Sequence, residues 1–219
     1  MNVSQDFRLF VFGAVSGIVG TVSYVIAVTV PLNPIPTYVL AMTWPILSIV
    51  FVFSLYRFIE IEKQSATNQL AFVFACLAFT LVAGMMSIQL GVRIGMQEYI
   101  AKAAKDQQEL LEMVRRSVRL VDMGLDVAWD LFIGTALLFL SFSLNGHGGF
   151  GRWWGIPSAL LGVGLIVLNI MTFPWPPDTR DLIDVGPAIG AFIIALSIRL
   201  LLLGARMRHA SMPPDLKVV

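Results

Sequence analysis

Charge is what this sequence has least of. Only 13% of its 219 residues are Asp, Glu, Lys or Arg, where a soluble domain carries about a quarter. Hydrophobic residues make up 57% and mean hydropathy is +0.81. Such a chain cannot cover its surface with polar groups in water, and lipid is the solvent that fits it. Net charge is +1 and no run of Lys or Arg forms a basic arm, which excludes nucleic acid as a partner.

Other scarcities remove whole chemistries. The single cysteine, Cys76, lies in an apolar run, so an intrachain disulfide is impossible and the thiol reads as buried and inert. His147 and His209 both lie in polar segments, leaving no intramembrane histidine pair to ligate a haem. The lysines (Lys63, Lys102, Lys105 and Lys217) all fall outside the apolar stretches, which excludes a Schiff base at membrane depth. There is no Walker loop, no H-E-x-x-H, no C-x-x-C and no nucleophile–base pair. No cofactor is called for, and the pattern leans away from an enzyme.

What is present is length of apolar chain. A spanning helix needs about 20 mainly apolar residues. Six stretches meet this: Leu9–Val30, Thr37–Phe58, Leu70–Gly91, Gly124–Leu144, Ile156–Phe173 and Asp184–Gly204. The expected fold is therefore all-α, a single six-helix transmembrane bundle. The first stretch is too long for a signal-peptide core and no A-x-A-like site closes it, so it reads as a retained helix. Pro31, Pro34 and Pro36 follow span one, and Pro174, Pro176 and Pro177 follow span five, marking tight turns because proline cannot continue a helix. Trp153, Trp154 and Trp175 flank span five as interface anchors.

Orientation is set by Lys and Arg in short loops. With the N-terminus inside, inner segments hold Arg8, Arg57, Lys63, Arg152, Arg206, Arg208 and Lys217, and the short outer loops hold only Arg180. The connection between spans three and four opposes this tally with Arg93, Lys102, Lys105, Arg115, Arg116 and Arg119. N-in, C-in is the favoured arrangement. In that connection, residues 96–121, apolar positions Ile100, Ala103, Leu110, Val114, Val118 and Val121 recur at helical intervals without Gly or Pro. It is expected to be an amphipathic extramembrane helix that extends span three or four, or lies over the bundle mouth.

Small residues mark helix contacts: Gly13, Gly17 and Gly20 in span one, Ser158 and Gly162 in span five, Gly186 and Gly190 in span six. They let backbones approach so that van der Waals packing drives association in lipid. The same Gly-rich faces suit a second copy or a protein partner.

Ionisable groups at membrane depth are costly, and so they mark the first place to look for function. Asp122, Asp126 and Asp130 stand four apart on span four, with Asp130 roughly 8–9 Å inside the apolar boundary. Asp181 and Asp184 precede span six, Gln89 and Arg93 end span three, and Asn169 and Thr172 end span five. Tyr24, Thr43 and Trp44 join them, all at the same outer level. Stacked carboxylates repel, so one must be protonated or met by a cation, with Arg93, Arg119 and Arg180 as candidates. A proton, a metal or alkali cation, or an amine-bearing ligand fits such a layer. The competing explanation is structural: Asp126 and Asp184 fall in first helical turns, where a carboxylate caps free N–H groups. Asp130 resists that explanation. Acidic side chains on one helix specify no particular metal. Arg199, near the end of span six, is expected to snorkel to the inner surface.

Three phrases, Gly124-Leu-Asp-Val-Ala-Trp-Asp130, Thr172-Phe-Pro-Trp-Pro-Pro177 and Leu182-Ile-Asp-Val-Gly-Pro187, resemble uncharacterised six-helix membrane proteins of bacteria, classed as a domain of unknown function. The resemblance covers the last third to half of the chain. It brings no activity; it implies a bacterial inner-membrane setting and directs attention to Asp126, Trp129, Asp130, Asp184 and Pro187.

Three readings follow. The leading one is a non-enzymatic membrane protein with an outward-facing acidic pocket for a small ligand, lipid or ion, used in sensing or in regulating a partner. Its pocket residues are Asp126, Asp130, Asp184, Arg93, Asn169, Trp129 and Gln89. The second is a proton- or cation-coupled transporter or channel working through Asp130. The third and weakest is a lipid-modifying enzyme.

Overall fold

The computed structural model describes residues 3–175, 177–180 and 182–211. Asp181, Pro176 and Lys217, singled out above, lie outside the described residues, as does the side chain of His209. The helices are α1 (Val3–Thr29), α2 (Pro34–Glu62), α3 (Ala66–Lys102), α4 (Lys105–Asn145), α5 (Arg152–Thr172) and α6 (Gly186–Ser211), with a single 3-10 turn at Pro177–Arg180. All six long helices are apolar and long enough to cross a membrane. The chain is a multi-pass α-helical membrane protein.

Short turns join consecutive helices, so neighbours run antiparallel. Proline opens α2 at Pro34, where its missing N–H is one that no helix would use. The ends of helices divide the molecule into two poles. One pole carries the starts of α1, α3 and α5 and the ends of α2, α4 and α6; the hairpin pole carries the rest.

The amphipathic stretch 96–121 lies at the hairpin pole and is shared between two helices. α3 runs through Lys102, Ala103 and Ala104 are extended (ψ 148° and 154°), and α4 restarts at Lys105. Two extended residues suffice to reverse the chain. Both helices thus project beyond their apolar spans as one antiparallel hairpin, and Leu110, Met113 and Val121 stay exposed along it.

Packing follows a ring. α1 lies between α2 and α6, α3 between α2 and α4, and α5 leans on α4. The ring does not close: α5 and α6 barely touch. Its centre is filled by Phe51, Phe79, Leu137, Ile193 and Leu196, all buried. The small residues act where backbones meet. A Cβ at Gly162 would stand 2.6 Å from the Gly134 carbonyl oxygen, so only glycine lets α4 and α5 approach this closely. Beside it, Ser158 donates to the Leu137 carbonyl at 2.8 Å. Gly13 meets Ser54 of α2, and Gly17 meets Ser197 of α6.

At the pole opposite the hairpin, the α4–α5 loop is pinned from three sides. The Gly148 N–H donates to Glu62 Oε1 at 2.9 Å. The Gly149 N–H donates to His147 Nδ1 at 2.9 Å, so the neutral ring carries its proton on Nε2, which lies 3.2 Å from Glu62 Oε2. Phe58 and Phe150 cover the ring with centroids 5.4 and 5.3 Å away. That burial holds the imidazole below its ordinary pKa, against the upward pull of Glu62. Arg199 extends to this loop: its guanidinium donates through Nε (3.0 Å) and Nη2 to the Gly149 carbonyl, so the charge expected at this pole is held there by a specific backbone acceptor.

Candidate functional site

The gap between α5 and α6 holds a cavity of about 560 Å³ at the hairpin pole. This lies within the range of small-ligand sites, roughly 300–1,000 Å³. Its walls come from α1 (Tyr24), α2 (Trp44), α4 (Asp126, Trp129, Asp130), α5 (Asn169) and the start of α6 (Asp184, Gly190). The remaining lining is mainly aliphatic, including Val25, Val28, Leu165, Leu168 and Ile194.

Each polar group is set by its helix. Asp130 is 8% exposed and Asn169 fully buried, and the Asn169 amide donates to Asp130 Oδ2 at 2.8 Å across the α4–α5 contact. The same amide donates its second hydrogen to the Leu165 carbonyl at 2.9 Å. Both donors are used, yet Asn169 Oδ1 is buried without a partner. Asp126, one turn towards the hairpin, is half-buried. Asp184 accepts from the Gly186 N–H at 2.8 Å and is exposed, so the cap explanation holds for it. That explanation fails for Asp126: α4 starts far upstream at Lys105, so Asp126 stands in mid-helix, with no free N–H groups to satisfy.

The aromatic wall is continuous. Tyr24 stacks on Trp44 at 4.4 Å and 26°, and Trp44 meets Trp129 edge to face at 5.9 Å. The indole N–H groups of Trp44 and Trp129 are both buried with no hydrogen-bond partner. An unmatched buried donor costs free energy comparable to a lost hydrogen bond. Two of them and an unmatched amide oxygen belong to side chains that line one cavity with the carboxylates.

Not every expected residue converges here. Gln89 and Arg93 line a different cavity, of about 420 Å³, between α3 and the projecting part of α4, together with Asp122 and Arg119. They sit on the other side of α4, since α3 packs mainly against α2 and α4. Thr43 and Thr172 spend their hydroxyls on the carbonyls of Val39 (2.8 Å) and Leu168 (2.9 Å) and are not among the walls of this cavity. Two further wall residues were not expected in the site: Thr21, whose hydroxyl donates to the Gly17 carbonyl, and Gly190, which reads as a packing glycine but leaves its neighbour Thr21 at ordinary contact distance.

Among the described residues, no group of three or more His, Cys, Asp or Glu side chains could hold a metal ion. The fold and site together define a six-helix, multi-pass membrane protein with a polar cavity at one pole. No known protein family, curated protein or solved structure matches the chain.

Proposed function

We propose that this is a binding protein of the membrane whose acidic cavity takes a small molecule bearing a protonated amine and a hydrogen-bond acceptor, and that occupancy serves sensing or the regulation of a partner protein. The observation that carries this reading is the pairing, in one cavity, of the Asp126 and Asp130 carboxylates with two buried, unpartnered indole donors, Trp44 and Trp129. A cation gains from carboxylates in a poorly hydrated setting and from aromatic faces. An acceptor on the same molecule satisfies the indole N–H groups. The aliphatic lining suits the hydrocarbon part of the ligand. The setting is the bacterial inner membrane, N-in and C-in, which makes the cavity face outwards.

Proton- or cation-coupled transport through Asp130 remains the second reading, because a buried carboxylate at membrane depth is the residue type that such proteins use. A polar route beyond the cavity is what it needs. Towards the other pole, Ser54, Thr135, Ser141 and Ser143 hydrogen-bond to backbone carbonyls of their own helices, which favours a blind cavity.

The test uses purified protein in neutral detergent, titrated with ethanolamine, choline and glycine while thermal unfolding and tryptophan fluorescence are followed. At least one amine should raise the unfolding temperature, and Asp130→Asn and Trp129→Phe should each weaken that rise. If no amine in the series stabilises the protein, the binding reading fails. Proton or cation flux into proteoliposomes that disappears in Asp130→Asn would establish the transport reading in its place.

A further inference from the structure

The hairpin pole carries a second chemistry, opposite in sign to the first. Arg93, Arg115, Arg116 and Arg119 line the cavity of about 420 Å³ between α3 and α4. Arg116 and Arg119 also line an adjoining cavity of about 540 Å³, completed by Trp175 and Arg180 from the segment after α5. Five guanidinium groups from three parts of the chain therefore surround two hollows that share Arg116 and Arg119 as walls. The only carboxylate lining either hollow, among the described residues, is Asp122.

Most of this charge is not spent inside the protein. Arg115 pairs with Glu112 at 2.8 Å, and Arg180 lies over the Trp175 ring at 5.8 Å. Arg93, Arg116 and Arg119 have no carboxylate within ion-pair distance among the described residues. Asp122 faces Arg119 and offsets part of the charge; the guanidinium groups still outnumber the carboxylates and repel one another, and an anion relieves that repulsion.

Depth identifies the anion. Arg93 stands two residues beyond Gly91, where the apolar part of α3 ends, or about 3 Å along the helix. Arg119 stands five residues before Gly124, where the apolar part of α4 begins, or about 8 Å out. The headgroup layer on each side of a bilayer is roughly 5–8 Å thick. These two side chains sit where lipid phosphates are concentrated, and Arg116 and Arg115 reach just above it. Exposed Leu120, together with Met123 and Trp175 on the wall of the second hollow, gives acyl chains an apolar surface below the charge. Guanidinium forks match phosphate oxygens bidentately, and Trp at this level anchors to the interface.

We infer that the arginine-lined hollows between α3, α4 and the α5–α6 connection bind the headgroup of an anionic phospholipid. This site is separate from the acidic cavity and does not depend on what that cavity holds.

The experiment compares thermal unfolding in neutral detergent supplemented with phosphatidylglycerol, with phosphatidylcholine, or with glycerol 3-phosphate. Phosphatidylglycerol should raise the unfolding temperature and phosphatidylcholine should not. In R93Q/R116Q/R119Q the apparent affinity for phosphatidylglycerol should fall by roughly a hundredfold, as expected for three cations removed from an anionic surface. Without lipid, that variant should unfold at or slightly above the wild-type temperature, since these side chains are exposed and their removal relieves mutual repulsion. R57Q/K63Q, at the opposite pole, should respond to phosphatidylglycerol as wild type does. Equal stabilisation by both lipids, or an undiminished response in the triple variant, would overturn the inference. So would full stabilisation by millimolar glycerol 3-phosphate, which would assign the hollows to a soluble phosphate.

Discussion

Asn169 of α5 donates to the Asp130 carboxylate of α4 at 2.8 Å, and both side chains are buried. Hydrogen bonds between membrane helices average about 0.6 kcal/mol and reach about 1.7. Burial of both partners places this one towards the upper end. A double-mutant cycle on Asp130→Asn and Asn169→Ala, read by unfolding in mixed micelles, should therefore return a coupling of about 1–2 kcal/mol. Strictly additive effects would show that the two residues stabilise the bundle separately.

Gly162 controls how closely those helices approach. Adding a methyl group there drives a Cβ to 2.6 Å from the Gly134 carbonyl oxygen, so the helices must separate. Gly162→Ala should destabilise by about 1–3 kcal/mol, the usual range for overpacking. Gly164→Ala, two residues along and open to the surroundings, should be neutral or stabilising by about 0.5–1 kcal/mol through helix propensity. The pair of variants separates a packing effect from a general intolerance of α5 to substitution.

Gly190 offers a way to close the acidic cavity without touching its charges. A Cβ there meets only the Thr21 methyl group, at 3.5 Å, and a longer side chain would extend into the hollow. Gly190→Leu should abolish amine-induced stabilisation and leave the unliganded unfolding temperature within a degree or two of wild type. Retained amine binding in that variant would move the ligand site elsewhere.

How much of this could be read from the sequence depended on which coordinate was asked for. Height along a helix follows from residue count, so Asp126, Asp130, Asn169, Asp184 and Trp44 were legible as one layer. Direction around the helix is legible only relative to that helix's own residues. Asp122, Asp126 and Asp130 look stacked at four-residue spacing, yet each step drifts by about 40°. Over two steps the drift turns Asp122 towards Gln89 and Arg93 on α3 while Asp130 faces Asn169 on α5. The order of helices around the ring decides which neighbour each face meets, and nothing local encodes that order. For the same reason Gly190 reads as a contact and proves to be a wall, and Arg199 reads as reaching its pole without naming the loop it holds there.

His147 should make stability depend on pH. Its folded-state pKa lies below the ordinary value, about 6.5. As pH falls through 6.5, the unfolded chain takes up a proton before the folded protein does, so unfolding becomes easier. The loss levels off once the folded-state value is passed, and above pH 7 the group contributes no slope. His147→Gln should flatten the profile between pH 7 and 5, measured as unfolding temperature against pH in the absence of ligand. A slope unchanged in that variant would assign the dependence to other groups.

Orientation can be checked in intact cells on a Cys76→Ala background. With the N-terminus inside, Asn33→Cys should react with a membrane-impermeant maleimide, and Lys63→Cys should react only after permeabilisation. The reverse pattern would turn the acidic cavity and the arginine-lined hollows towards the cytoplasm together, because both belong to the hairpin pole.

The slight contact between α5 and α6 makes the bundle a split ring. In such a body, the two lips move most for a given input of thermal energy, while the far side, here the α2–α3 hairpin, acts as the spring. The acidic cavity lies between the lips, so a change in its width is a change in the spacing of α5 and α6. α6 is one lip, and from its middle Arg199 grips the α4–α5 loop. Spreading the lips at one pole therefore pulls against a fixed point at the other, and the ring's compliance is a property of the whole circumference.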